Sequence, residues 1–267
     1  MIFMSGTAAS LILDIDKSMI SNILTVENVA YYSVAIFIAA VIEFPGRAMF
    51  QIISPLVAKA LNDKDDLTLL QLLKKSANNL LLLSGLLFLL INLNLNDFYA
   101  WTNLGDYTVA LEVVLIVSVG KLFTMSMGCL NNIITNSKYY AYVFWFSISA
   151  AILAVVLNLY LLPLYGIIGA AYATLIVIVI INVLKILLVQ FRFRINPYGW
   201  ESLLTLGIII LLYLIISKIS FEFDPFVSLL LRSVLITFAF GCLTYSLKLT
   251  IDVQQFIGKF LPFLRKH

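Results

Sequence analysis

The sequence is poor in the residues that most often carry catalysis and metal binding. The 267-residue chain has one histidine, His267 at its C-terminus, and two cysteines. A single terminal histidine argues against histidine-based catalysis and histidine-ligated metals, and no HExxH, GxSxG or P-loop pattern occurs. Cys129 and Cys242 lie inside apolar runs, which argues against a disulfide framework. The sequence therefore predicts that the protein is not an enzyme and holds no cofactor.

Charge is scarce as well. Charged residues make up 12% of the chain and hydrophobic residues 62%, with a mean hydropathy of +1.04. An ordinary soluble domain has about 25% charged and 45–50% apolar residues, and no soluble fold has enough interior for this much leucine and isoleucine. The net charge of +3 gives no indication of a nucleic-acid partner. We therefore predict an all-α, polytopic membrane protein in contact with membrane lipid.

Eight apolar stretches are long enough to cross a bilayer core, which takes roughly 20 residues per helix. The predicted spans are 3–24, 29–60, 68–91, 108–136, 140–162, 166–190, 201–219 and 226–247. The first of these lacks a basic n-region and a small-residue cleavage site, so we expect a span there rather than a signal peptide.

The distribution of lysine and arginine predicts the orientation, because basic residues mark the cytoplasmic side. Basic residues flank alternate loops and fill the tail, at positions Lys59, Lys64, Lys74, Lys75, Lys138, Arg192, Arg194, Lys248, Lys259, Arg265 and Lys266; Lys218 and Arg232 are exceptions. We expect a multi-pass protein of the cytoplasmic (inner) membrane with both termini in the cytoplasm. The tail at 251–267 resembles an interfacial amphipathic helix.

Ionisable residues inside the first span form a notable pattern. A polar stripe at helical spacing contains Thr7, Ser10, Asp14, Lys17, Ser18, Ser21 and Thr25. Asp16 points to roughly the opposite side. A charge at membrane depth is costly unless it is paired or wetted. The stripe therefore indicates either a cavity-facing surface or a self-neutralising pair of Asp14 and Lys17.

The second and fourth spans also carry charge. Glu43 and Arg47 are four residues apart around Pro45, can pair, and are followed on the same side by Gln51. Proline is expected to kink this helix, and broken helices near the midplane hold the binding sites of many transporters. A neutralised structural pair beside an ordinary kink is the alternative.

In the fourth span Lys121 stands nine residues after Glu112, on the opposite face, and has no partner within that helix. A stripe of Lys121, Thr124, Gly128, Asn131 and Thr135, with Asn132 nearby, indicates an anion-facing surface or a helix contact built from small and polar residues. The spans after residue 140 are apolar apart from Asn158, Asn182 and Lys185, and are predicted to be scaffold.

Three segments in order resemble the polysaccharide (oligosaccharide) flippases of the multidrug/oligosaccharidyl-lipid/polysaccharide exporter superfamily. The first is DKSMI at 16–20 with ENVAYYSVA at 27–35, where alanine replaces a usual glycine. The second is PGRA at 45–48 with SPL at 54–56. The third is NLYLLPLYGIIGAAYAT at 158–174. The resemblance indicates Asp16 as the acidic residue that matches the family motif. The polar stripe instead indicates Asp14 as the acidic residue that faces the cavity.

The resemblance implies a transporter that moves polyprenyl-diphosphate-linked oligosaccharide between leaflets by alternating access. It implies a C-terminal six-helix lobe at 1–192, two additional helices at 193–250 and the cytoplasmic tail at 251–267. The partner would be an N-terminal lobe or a second subunit.

On this template each candidate residue has a role. Arg47, Lys17 and Lys121 would bind phosphate, and Asn131, Asn132 and Gln51 would bind sugar hydroxyls. Asp14, Asp16 or Glu43 would carry a coupling proton or sodium ion. The alternatives are half of a cation-coupled drug or small-molecule antiporter and an inactive fragment of a split flippase gene. A membrane-embedded transferase partner is disfavoured, because the chain lacks a long polar loop and a metal triad.

Overall fold

The computed structural model describes residues 15–219, 223–247 and 249. Asp14, most of the predicted first span and the predicted tail lie outside these residues. Every regular element in the described part is helical, which confirms the predicted all-α class. The elements are α1 (15–23), α2 (Val26–Ala40), a 3-10 turn (Val41–Glu43), α3 (Phe44–Asn62), α4 (Asp66–Trp101), a second 3-10 turn (Gly105–Ala110), α5 (Leu111–Ser126), α6 (Leu130–Asn136), α7 (Ala141–Phe193), α8 (Trp200–Ile216) and α9 (Pro225–Ser246).

Five helical stretches in the described part have the length and apolar composition of membrane spans. They are Val26–Asn62, Asp66–Trp101, Gly105–Ser126, Ala141–Phe193 and Pro225–Ser246, and the shorter Trp200–Ile216 is also apolar. Large apolar side chains such as Phe37 and Phe238 are exposed on the helix surfaces. The protein is therefore membrane-embedded. The predicted count of eight spans is not established, because the first begins outside the described residues and Trp200–Ile216 has 17 residues.

The 53-residue helix α7 is broken at Gly166, whose backbone angles are φ 60° and ψ −142°. A straight helix of that length would measure about 80 Å, far more than a bilayer. Instead the first arm (141–165) and the second arm (167–193) pack against each other through Ala154, Val177 and Ile181. A Cβ on Gly169 would meet the carbonyl oxygen of Leu161, so the arms touch closely near the turn.

Helix α4 is the centre of the packing, because it contributes to three buried clusters. It joins α1, α2, α5 and α7 in one cluster, α8 and α9 in a second, and α3, α6 and α7 in a third. Its start is fixed by Asp65, whose side chain accepts hydrogen bonds from the backbone N–H of Thr68 at 3.0 Å and from the hydroxyl of Thr68. These bonds lower the pKa of Asp65.

Candidate functional site

Two broken helices pack against each other. The first break is the 3-10 turn Val41–Glu43 between α2 and α3, with Pro45 in the first turn of α3. Proline donates no backbone hydrogen bond. The hydroxyl of buried Ser84 on α4 donates to the carbonyl of Ile42 at 2.8 Å and so satisfies a backbone group at this turn. The 3-10 turn therefore interrupts the α-helical geometry just before Pro45, where the sequence predicted a kink.

The second break separates α5 from α6 at Gly128, which has a φ of 59°. A Cβ at this position would collide with the backbone nitrogen of Ala77 and lie 2.5 Å from Ser76 Oγ. Ser76 also accepts a hydrogen bond from the backbone N–H of Cys129 at 2.9 Å and donates to the carbonyl of Leu73. Only glycine therefore fits here, and α4 supplies the polar group that the broken helix needs.

A cavity of about 290 Å³, with charged and amide side chains among apolar ones in its lining, lies between α3, the α5–α6 break and the second arm of α7. Three of the predicted site residues line it: Glu43, Arg47 and Asn131. The remaining lining residues are Phe50, Thr124, Met125, Met127, Gly128, Asn182 and Lys185.

An ion pair crosses between helices beside the cavity. Lys121 Nζ on α5 lies 3.0 Å from Glu43 Oε2, and both side chains are mostly buried. Lys121 has no partner within its own helix, as the spacing predicts, and its partner is instead on another helix, 78 residues away in sequence. Arg47 does not pair with Glu43. Its guanidinium lies 5.0 Å from the ring centroid of Phe44.

Sequence reasoning missed two polar residues of this cavity on the second arm of α7. Lys185 is half-buried and makes no ion pair or hydrogen bond with a described residue. Asn182 is buried, and its Nδ2 donates to Thr124 Oγ1 at 3.0 Å. Both interrupt an apolar run at a spacing of three, which places them on one helix face. This spacing of three was the signal in the sequence that could have assigned Asn182 and Lys185 to the cavity.

The other predicted cavity residues do not line the cavity. Gln51 is exposed on α3, one turn beyond Arg47. Asn132 is half-buried on α6, where its backbone carbonyl accepts hydrogen bonds from Thr135 and Asn136. Lys17 lies on α1 and is not a lining residue. Asp14 lies outside the described residues.

Asp16 forms a separate polar cluster in the apolar interior. Its carboxylate accepts hydrogen bonds from Asn158 Nδ2 at 2.6 Å, from Thr174 Oγ1 at 2.8 Å and from the Tyr32 hydroxyl at 3.1 Å. Asp16 is 8% exposed, and Asn158 is fully buried. Asn158 Oδ1 is buried without a hydrogen-bond partner. The cluster joins α1 and α2 to both arms of α7, and Asn158 is one of the exceptions noted in the otherwise apolar later spans.

The segment before α8 is fixed to the edge of the cavity. The Tyr198 hydroxyl and Ser126 Oγ are hydrogen-bonded at 3.1 Å. Burial raises the pKa of Tyr198, so the hydroxyl stays protonated at neutral pH. Ser202 Oγ in α8 donates to Asn78 Oδ1 on α4 at 2.6 Å. These bonds join α8 to the same part of α4 that supports the α5–α6 break.

A comparison of the chain with protein-family models, with curated proteins and with solved structures finds no match.

Proposed function

We propose that the protein is a component of a membrane transporter that moves lipid-linked oligosaccharide across the cytoplasmic membrane for surface polysaccharide synthesis. Transport would proceed by alternating access, with both ends of the chain in the cytoplasm. The substrate would be a polyprenyl-diphosphate-linked oligosaccharide. A second six-helix lobe, in the same or another polypeptide, would close the far side of the cavity.

The cavity between two broken helices, with its charged and amide side chains, carries this proposal. Broken helices with polar side chains are found where transporters bind their substrates, because freed backbone groups and charges are tolerated only beside a cavity or protein. Glu43 and Lys121 neutralise each other, so Arg47 and Lys185 leave an excess of positive charge. This excess favours an anionic substrate over a cationic drug. A diphosphate-linked sugar has the required negative charge.

The Asp16 cluster supports a coupling role for a cation. A carboxylate and two hydroxyls meet in an apolar interior, where Asn158 faces the carboxylate through its Nδ2, and hard cations such as sodium bind oxygen ligands. Asn158 Oδ1 is buried without a partner, although buried oxygens are nearly always hydrogen-bonded. Asp16, Thr174 and Asn158 would hold Na⁺ there, or Asp16 would carry a proton.

The test is genetic complementation in the cell from which the gene comes. Deletion of the gene should remove surface polysaccharide and cause lipid-linked oligosaccharide to accumulate. Wild-type protein should restore both. The double variant Arg47→Ala/Lys121→Ala should fail, because it removes one cavity cation and the partner of Glu43. Polysaccharide is measured by immunoblot, and the lipid-linked intermediate by mass spectrometry.

Lys59→Ala is the matched control, since Lys59 is an exposed cation on α3 outside the cavity lining. It should restore polysaccharide fully. Unchanged polysaccharide after gene deletion would refute the proposed function. Full restoration by the double variant, at wild-type membrane levels, would refute only the site.

A further inference from the structure

The positive charge of the cavity comes from two residues on different helices. Arg47 lies in the first turns of α3, and Lys185 lies on the second arm of α7. Neither makes an ion pair with a described residue, and Glu43 is the only carboxylate in the described cavity lining. Because Glu43 is already bound to Lys121, two positive charges face the same 290 Å³ space without a counter-charge.

Hydrogen-bond donors lie beside these charges. The side-chain amide of Asn131 lines the cavity and makes no hydrogen bond with a described residue. Asn182 is held by Thr124 at the same wall. Cations and amide N–H groups together form a set of donors, and an oxygen-rich anion accepts from such a set.

We infer that Arg47 and Lys185 bind one dianionic phosphate or diphosphate group between them, with Asn131 as a neutral donor. The inference deepens the proposed function and rests on it for the place of this anion in transport. Lys121, which the sequence assigns to phosphate binding, instead serves as the partner of Glu43. A guanidinium binds two phosphate oxygens through its planar fork, and an ammonium acts as a compact point charge.

The arrangement favours a phosphate over a carboxylate ligand. A carboxylate has one charge and presents its two oxygens in one plane, so one cation satisfies it. Phosphate and diphosphate carry two or more charges and present oxygens in several directions. They can therefore accept from α3 and from α7 at the same time, which matches cations placed on two walls.

The binding test uses the purified full chain in nanodiscs of neutral phosphatidylcholine. Two probes distinguish the source of the phosphate: inorganic pyrophosphate in solution and a polyprenyl diphosphate incorporated in the disc. Affinities are measured by calorimetry for the soluble probe and by native mass spectrometry for the lipid probe. Arg47→Gln and Lys185→Gln should each weaken binding by about tenfold or more, because each removes one charge-assisted contact.

Two further variants separate charge from structure. Lys185→Arg should bind within about threefold of wild type because it keeps the charge. Lys59→Gln removes an exposed cation outside the cavity and should bind as wild type. Lys185→Gln should melt at or above the wild-type temperature, since it removes a half-buried charge that has no partner among the described residues. A lowered melting temperature would instead assign Lys185 a structural role and overturn the inference.

The two probes and the complementation assay give separable results. The site is supported if the glutamine variants both lose binding of a probe that wild type binds. Binding of the lipid probe alone identifies the ligand as lipid-borne, and binding of both probes identifies it as any diphosphate. Equal affinity of wild type and both glutamine variants for both probes overturns it. Intact binding combined with unchanged polysaccharide after gene deletion would refute the proposed function and leave the anion site standing.

Discussion

Gly128→Ala should destabilise the protein by about 2–5 kcal/mol. A left-handed backbone costs a non-glycine residue about 1–2 kcal/mol, and overpacking costs about 1–3 kcal/mol. Gly128 has a φ of 59°, and its missing Cβ would collide with the Ala77 backbone and with Ser76 Oγ. Relief of the collision would have to move α4 away from the α5–α6 break. The cavity would then lose the wall that Gly128 and Asn131 form.

Two other glycines provide matched controls for the same chemical change. Gly166 has a φ of 60° but open space around its missing Cβ, so Gly166→Ala should cost only the backbone strain, about 1–3 kcal/mol. Gly207 lies inside α8 with open space and no positive φ. Gly207→Ala should be neutral or stabilise by up to about 1 kcal/mol through helix propensity.

The free energy of unfolding can be measured by titration with SDS in mixed micelles. The expected order of destabilisation is Gly128→Ala, then Gly166→Ala, then Gly207→Ala. A Gly128→Ala protein as stable as the Gly207→Ala protein would show that α4 does not approach the α5–α6 break as closely as described.

Asp16→Ala should destabilise the protein by about 1–3 kcal/mol, the usual cost of leaving a buried hydrogen-bond donor without its acceptor. The variant leaves Asn158 Nδ2, Thr174 Oγ1 and the Tyr32 hydroxyl without their common acceptor in an apolar interior. Tyr32 and Thr174 keep a 3.3 Å hydrogen bond to each other, which limits the loss. The same titration measures this change.

The isosteric variant Asp16→Asn tests whether the cluster binds sodium. If Na⁺ binds the folded wild-type protein, each tenfold increase in its concentration above Kd adds about 1.4 kcal/mol of stability. Unfolding temperatures should therefore rise with NaCl relative to N-methyl-D-glucamine chloride. Asp16→Asn removes the negative charge and should abolish this rise.

Glu112→Gln is the matched control, because Glu112 is an exposed acidic residue on α5. Its stability should stay within about 0.5 kcal/mol of wild type, and its response to sodium should be unchanged. An equal response of wild type and Asp16→Asn to sodium would exclude sodium from the Asp16 cluster and leave a proton as the coupling ion.

Features fixed by local physics could be predicted from the sequence. Long apolar runs predict the membrane helices. Backbone N–H and C=O groups without hydrogen bonds are too costly in lipid, and a helix satisfies them within the run itself. Pro45 marks the 3-10 turn before α3, because a proline cannot donate a helical hydrogen bond to the preceding turn. The fourth span was predicted as one helix, and its break at Gly128 was missed. Gly128 was instead assigned to a polar stripe, because its positive φ depends on the approach of Ala77 from another helix.

The polar partnerships could not be predicted, because they join residues far apart in the chain. Lys121 meets Glu43 on another helix, whereas sequence spacing favoured Arg47 as the partner of Glu43. Asp16 is bound by Asn158 and Thr174, and helix periodicity alone only showed that it points away from the polar stripe. Both partners belong to the segment 158–174 that carries the resemblance. Spacing within one helix could not show either partnership.

The Asp16 cluster also constrains how the chain is made. Asn158 and Thr174 follow Asp16 by 142 and 158 residues. At roughly 5–20 residues per second of synthesis, the ribosome needs about 7–30 s to supply them. During that interval the nascent α1 carries a carboxyl group whose hydrogen-bond donors on α7 do not yet exist. Complete hydrogen bonding of Asp16 must wait for α7, so α1 is among the later helices to reach its final packing.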